Sequence, residues 1–98
     1  MPDSVTDHSG KTVILTDEYW QHIKFRHPEI GNDRSLLMRI VKDPDEIHRD
    51  KRGGVHAMKR FDENHFTVVI YEFEGSTGFI RTAYLISNKR KSRRYGSL

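Results

Sequence analysis

The chain contains no cysteine. Disulfides and thiolate metal sites are therefore excluded, and the composition fits a cytoplasmic setting. Long apolar runs are absent too. Nothing approaches the roughly 20 residues of a membrane span, and the opening "MPDSVTDHSGK" lacks the apolar stretch of a signal peptide. No internal repeat and no linker interrupts the chain. With 35% hydrophobic and 32% charged residues, it reads as one soluble domain, 1–98, with loose polar ends at 1–10 and 93–98.

Positive charge is scarce over most of the length. The net charge is +3, but "KRKSRR" (89–94) alone carries five cations. Residues 1–88 hold 12 Lys and Arg against 14 Asp and Glu, a balance of −2. The body is thus no basic domain. Attraction for a nucleic acid rests on the C-terminal run and on a smaller patch, "RDKR" (49–52).

What is present is a change of period along the chain. "KTVIL" (11–15) reads as a short strand. Thr16 is a good N-cap, with Asp17 and Glu18 complementing the dipole of a first helix over about 17–27, which Pro28 stops. "IGND" (30–33) is a turn. Asn32 or Asp33 caps a second helix to about Lys42, with Leu36, Leu37, Ile40 and Val41 as its apolar stripe. "EIHRD" (46–50), "VHAMKRF" (55–61), "HFTVVIYEFE" (65–74) and "GFIRTAYLIS" (78–87) are β-rich runs with short connectors, hence antiparallel hairpins. The expected fold class is α+β: two N-terminal helices on one face of an antiparallel β-meander of about four strands.

The stretch "YWQHIKFRHPEI" (19–30) concentrates polar chemistry. At ~100° per residue, Tyr19, Trp20 and Ile23 share the core sector, and His22 and Arg26 stack four apart at its border. That border is either a solvated flank or the wall of a cleft. His27 falls near the sector of Trp20, but in the terminal turn, where it can leave the helix. Zinc is poorly served: His22 and His27 are five apart with no third ligand at useful spacing, so neither metal nor other cofactor is expected. His8, His48, His56 and His65 are scattered and read as surface residues.

The order of these pieces carries a resemblance. "WQHIKFRHPE", a helix ending in "DPDEI", "HRDKR", "FTVVIYEF", and "GFIRTAYLIS" running into "NKRK" together span about 12–92. This resembles the phage-associated nucleases grouped with barnase, EndoU, the colicin-type tRNases and RelE, a superfamily that packs N-terminal helices on an antiparallel sheet (a BECR-like fold) and includes many toxins. The resemblance implies metal-independent RNA cleavage by attack of the ribose 2′-OH on its phosphate, leaving a cyclic phosphate and a 5′-OH. It also implies RNA as substrate and, for a toxin, an antitoxin or immunity protein as partner. The family's helix motif falls on His22, Arg26 and His27, and its late strand motif on Thr82 and Tyr84. Such chemistry needs a base, an acid and phosphate-binding cations. Arg26 beside His22 favours neutral imidazole, a base; the helix end beside His27 favours imidazolium, an acid.

Thr82 is then a donor to phosphate, and Tyr84, on the same strand face, a stacking or pocket-closing residue. By residue type alone, both are equally at home as ordinary strand residues. Arg49, Lys51 and Arg52 either grip backbone phosphate or solvate a loop. Lys59 and Arg81 need an exposed face or a partner. Lys89, Arg90 and Lys91 continue from the site strand and suit phosphate, while Arg93 and Arg94 are expected in a disordered end. A non-catalytic RNA-binding or protein-interaction module on the same fold is the competing expectation.

Overall fold

The structure, a computed structural model, describes residues 3–96. Six strands form one mixed sheet: β1 (Asp3–Thr6), β2 (Thr12–Leu15), β3 (Glu46–Arg49), β4 (Val55–Arg60), β5 (His65–Glu74) and β6 (Thr77–Ser87). Three helices accompany them: α1 (Asp17–Arg26), α2 (Arg34–Lys42) and α3 (Asn88–Tyr95). The strand order is β1-β2-β6-β5-β4-β3. All neighbours are antiparallel except β2 and β6, which run parallel. The expected four-strand antiparallel meander is therefore the β3–β6 half of a larger sheet.

The helix starts follow their caps. Thr16 Oγ1 accepts from the Tyr19 N–H at 3.2 Å, and Asp33 Oδ1 from the Ser35 N–H at 3.1 Å. Trp20 and Ile23 of α1 and Leu37, Ile40 and Val41 of α2 are buried against Val13, Leu15, Val55, Ala57, Val69, Tyr71, Ile80 and Ala83. Arg34 of α2 donates to Asp3 of β1 at 2.7 Å and to Asp17 of α1 at 2.8 Å, pinning the first strand to both helices. Residues 3–6, expected in a loose polar end, are thus a paired strand. The α1 residue Phe25, by contrast, is 84% exposed.

The sheet has a second populated face. Met58, Phe66, Val68 and Ile86 form a smaller apolar cluster there, joined by Ile70, Tyr84 and Tyr95. A β-bulge in β6 makes this face what it is. Ile70 pairs with Thr82, yet Tyr71 pairs with Ile80, so Arg81 is an extra residue. On the C-terminal side of the bulge, Thr82, Tyr84 and Ile86 point away from α1 and α2. Arg81 finds partners in Glu72 (3.3 Å) and Glu74 (2.7 Å).

Helix α3 closes over that second face. Ser87 caps it, accepting from the Arg90 N–H at 3.2 Å. Lys91 and Tyr95, four apart, face the sheet. The Lys91 ammonium meets Glu46 at 2.9 Å and lies 4.7 Å above the Phe66 ring, and Tyr95 packs into the small cluster. The expectation of a disordered end that includes Arg93 and Arg94 is corrected: both belong to this helix, and an apolar sheet face with Glu46 at its rim is what orders it.

Candidate active site

His27 precedes Pro28, and a residue before proline is driven out of the helical region. Its backbone stands at φ −132°, ψ 70°, still tied to α1 by its N–H to the Ile23 carbonyl at 2.7 Å. A short 3-10 turn, Pro28–Ile30, packs against β6. His27 leaves the wheel for that reason. Its ring lies 5.7 Å from that of Tyr84, and its Nδ1 is 3.4 Å from Glu29.

His27 forms one wall of a depression of ≈ 420 Å³ with Glu29, Thr82, Tyr84, Arg90 and Arg94. A second depression of ≈ 510 Å³ adjoins it, sharing Tyr84 and Arg94 and adding His48, Arg49, Asp50, His56 and Tyr95. Together they make one groove along the second sheet face, between the end of α1, the β3–β4 hairpin and α3. A cleft of ≈ 530 Å³ on the α2 side holds no histidine, and its Lys59 and Arg39 are occupied by Asp43, Asp45 and Asp33.

The hairpin supplies the most ordered chemistry. His48 and His56 face each other across β3 and β4. His56 Nε2 lies 2.9 Å from Asp50 Oδ2, and its Nδ1 2.8 Å from the Tyr95 phenol. That phenol is 3.0 Å from the Tyr84 oxygen, to which Arg94 Nη1 donates at 3.2 Å. Asp50 Oδ1 is held by the N–H groups of Arg52 (2.9 Å) and Gly54 (2.8 Å). His56 first, then these amides, keep the Asp50 carboxyl below the ordinary carboxylate range. A Cβ at position 54 would sit 2.5 Å from Asp50 Oδ2, the oxygen that meets His56, so glycine there lets the carboxylate keep its place. His48 Nε2 lies 3.1 Å from Glu46, and its ring 5.0 Å from Tyr95. Burial raises the Tyr95 phenol, and its hydrogen bond with Tyr84 raises it further.

Of the residues expected from sequence, His27, Thr82 and Tyr84 come together, and Arg49 lines the adjoining depression. His22 does not join them. It is exposed on α1, edge-on to Tyr19 at 6.4 Å, in a separate shallow depression with Glu18. Arg26, Lys51 and Lys89 are exposed outside the groove. The Lys91 ammonium is engaged by Glu46 instead of facing the groove. His56 and His48, read as surface residues, are half-buried and paired. Periodicity marks neither them nor Asp50, Arg94 and Tyr95. The one available signal was the hairpin itself, since pairing 46–50 with 55–61 sets His48 opposite His56.

Among the described residues, no three His, Asp or Glu side chains converge as metal ligands, and no helix is long and apolar enough to cross a membrane. Comparison with curated proteins and with solved structures returns no match. A family model, described as phage-Barnase-EndoU-ColicinE5/D-RelE like nuclease2, matches residues 1–98. The chain belongs to that family of nucleases, for which a nucleic acid is the substrate.

Proposed function

We propose that the protein is a metal-independent endoribonuclease, toxin-like or phage-derived and acting in the cytoplasm, that cleaves RNA by attack of the 2′-OH. One observation carries the reading. His27, Thr82 and Tyr84, drawn from two distant segments, line one groove with Arg90 and Arg94. The groove offers an imidazole, a hydroxyl donor and two guanidiniums to one phosphate. Those are the groups that charge development in a phosphorane calls for.

In this reading His27 is the acid that protonates the leaving 5′-oxygen. It stands just beyond the C-terminal end of α1, with Glu29 3.4 Å away. Arg90 and Arg94 hold the non-bridging oxygens, and Thr82 donates to one of them. His22 and Arg26 lie outside the groove and take no part in the acid–base step. Arg49 and the hairpin flank the adjoining depression, which suits the next nucleotide along the strand.

The test is cleavage of total RNA by purified protein in EDTA, with mapping of the ends. Cyclic phosphate and 5′-OH ends are expected, and a His27→Ala variant should leave the RNA intact. RNA binding without any cutting would favour an interaction module, and cutting that needs added Mg²⁺ would exclude this mechanism.

A further inference from the structure

The groove contains a chain of four hydrogen-bonded groups that ends at an acceptor on one side and a donor on the other. Asp50, His56, Tyr95 and Tyr84 follow one another at 2.9, 2.8 and 3.0 Å, and Arg94 closes the series at 3.2 Å. With His56 as the neutral imidazole, the two ends fix its direction. An ionised carboxylate only accepts, so His56 Nε2 carries the proton it shares with Asp50. In the neutral imidazole Nδ1 is then bare and accepts from the Tyr95 hydroxyl. Tyr95 has spent its one proton, so Tyr84 must donate to it. Arginine only donates, and it donates to the Tyr84 oxygen. Every proton in the chain therefore points towards Asp50, and the Tyr84 oxygen is left with a lone pair beside His27 and Thr82.

From this geometry we infer that Tyr84 is the base that takes the 2′-OH proton, and that Tyr95, His56 and Asp50 carry its own proton away. The inference rests on the ribonuclease reading above and completes its acid–base pair. As the 2′-oxygen forms its bond to phosphorus, its proton passes to the Tyr84 oxygen. The Tyr84 proton moves to Tyr95, and the Tyr95 proton to His56 Nδ1. The bond from phosphorus to the 5′-oxygen breaks, and that oxygen takes a proton from His27. One proton enters the chain and one leaves His27, so the step balances without a co-reactant, and exchange with water resets both ends.

The surroundings fit this use. Neither tyrosine has to exist as a free phenolate, because each gives up one proton as it receives another. The imidazolium formed at His56 lies 2.9 Å from the Asp50 carboxylate. Arg94 offsets charge building on the Tyr84 oxygen. At 5.7 Å between centroids the His27 and Tyr84 rings are neighbours on one wall of the groove, so a phosphate seated over them meets both acid and base. Tyr84 touches the substrate and is the catalytic residue. Tyr95, His56 and Asp50 act through it and are positioning residues.

The experiment uses two RNAs with the cleavage site of the wild-type protein, one natural and one with sulfur in place of the bridging 5′-oxygen. A thiolate leaves without a proton. On natural RNA, Tyr84→Phe and His27→Ala should each lose roughly 10²–10⁴-fold in single-turnover rate. On the sulfur RNA, His27→Ala should return towards the wild-type rate, while Tyr84→Phe stays slow. Tyr95→Phe and His56→Gln should show a smaller loss that sulfur does not repair, with thermal midpoints recording that they fold. Full activity of Tyr84→Phe, or its rescue by sulfur, would overturn the inference and leave the ribonuclease reading standing. Failure of the wild-type protein to cut any RNA would remove both.

Discussion

Single residues in this protein have sharply different surroundings although they are close in sequence. His22 and His27 are five apart, but only the second precedes a proline, and that alone swings it from the helix surface into the groove. His22→Ala is therefore expected to keep activity within a few-fold of wild type. His27→Ala should lose the alkaline limb of the pH–rate profile, because that limb reports loss of the acid's proton. Retention of both limbs by His27→Ala would exclude the acid role. Gly54 is a second case. Its replacement by alanine drives a Cβ towards Asp50 Oδ2, so Gly54→Ala should slow cleavage while barely moving the thermal midpoint.

Asp7 shows the same scale at work in stability. Its Oδ1 accepts from Ser9 and Lys11, and its Oδ2 from the buried Tyr71 hydroxyl at 2.8 Å. Burial opposes ionisation of this carboxyl, but the hydrogen bonds outweigh it and hold the group below the ordinary carboxylate range. A depressed folded value means that the stabilisation is present above the unfolded value and is lost as pH falls through the folded one. Thermal midpoints of the wild type should thus drop below about pH 4, and those of Asp7→Asn should drop less. Tyr71→Phe removes a donor from a buried carboxylate and should cost about 1–3 kcal/mol by chemical denaturation.

Among the elements, the bulge in β6 and helix α3 decide which side chains line the groove. Removing Arg81 would restore simple alternation without turning its neighbours over, because Ile80 and Thr82 already lie on opposite faces, paired with Tyr71 and Ile70. That deletion is expected to leave cooperative unfolding and the groove face intact, at a midpoint lowered, as in Arg81→Ala, by loss of the contacts to Glu72 and Glu74. Strands β2 to β6, helices α1 and α2 and the Thr16 cap were legible in the sequence, because each carries its own period, cap or turn. The bulge was not, since an extra residue in one strand is defined only by its partner. Helix α3 was not, because "NKRKSRRY" has no apolar stripe of its own. Its order comes from Lys91 meeting Glu46 and Tyr95 filling a sheet cluster, both contacts across the fold. The groove was half legible for the same reason. His27, Thr82 and Tyr84 follow from local motif, while Asp50, His56, Tyr95 and Arg94 converge only once α3 folds back.

At the scale of the whole molecule, the fold resolves a conflict in the charge pattern. A body of −2 makes a poor polyanion binder, and a basic tail without structure would bind RNA with no register. Laying α3 across the sheet brings Arg90 and Arg94 to the groove, so the attraction falls on the site proposed for cleavage. Lys91, of the same sign and in the same helix, is engaged by Glu46 and should contribute little to binding. These roles separate in the salt dependence of affinity for an RNA whose scissile ribose is 2′-deoxy and cannot be cut. Each phosphate neutralised contributes about −0.7 to the slope of log affinity against log salt for a single strand. Arg90→Gln and Arg94→Gln should each make the slope shallower by about that amount. Lys91→Gln should leave the slope unchanged and lower the thermal midpoint instead. An unchanged slope in both arginine variants would mean that α3 does not face the RNA backbone, and the groove would lose its claim to the substrate.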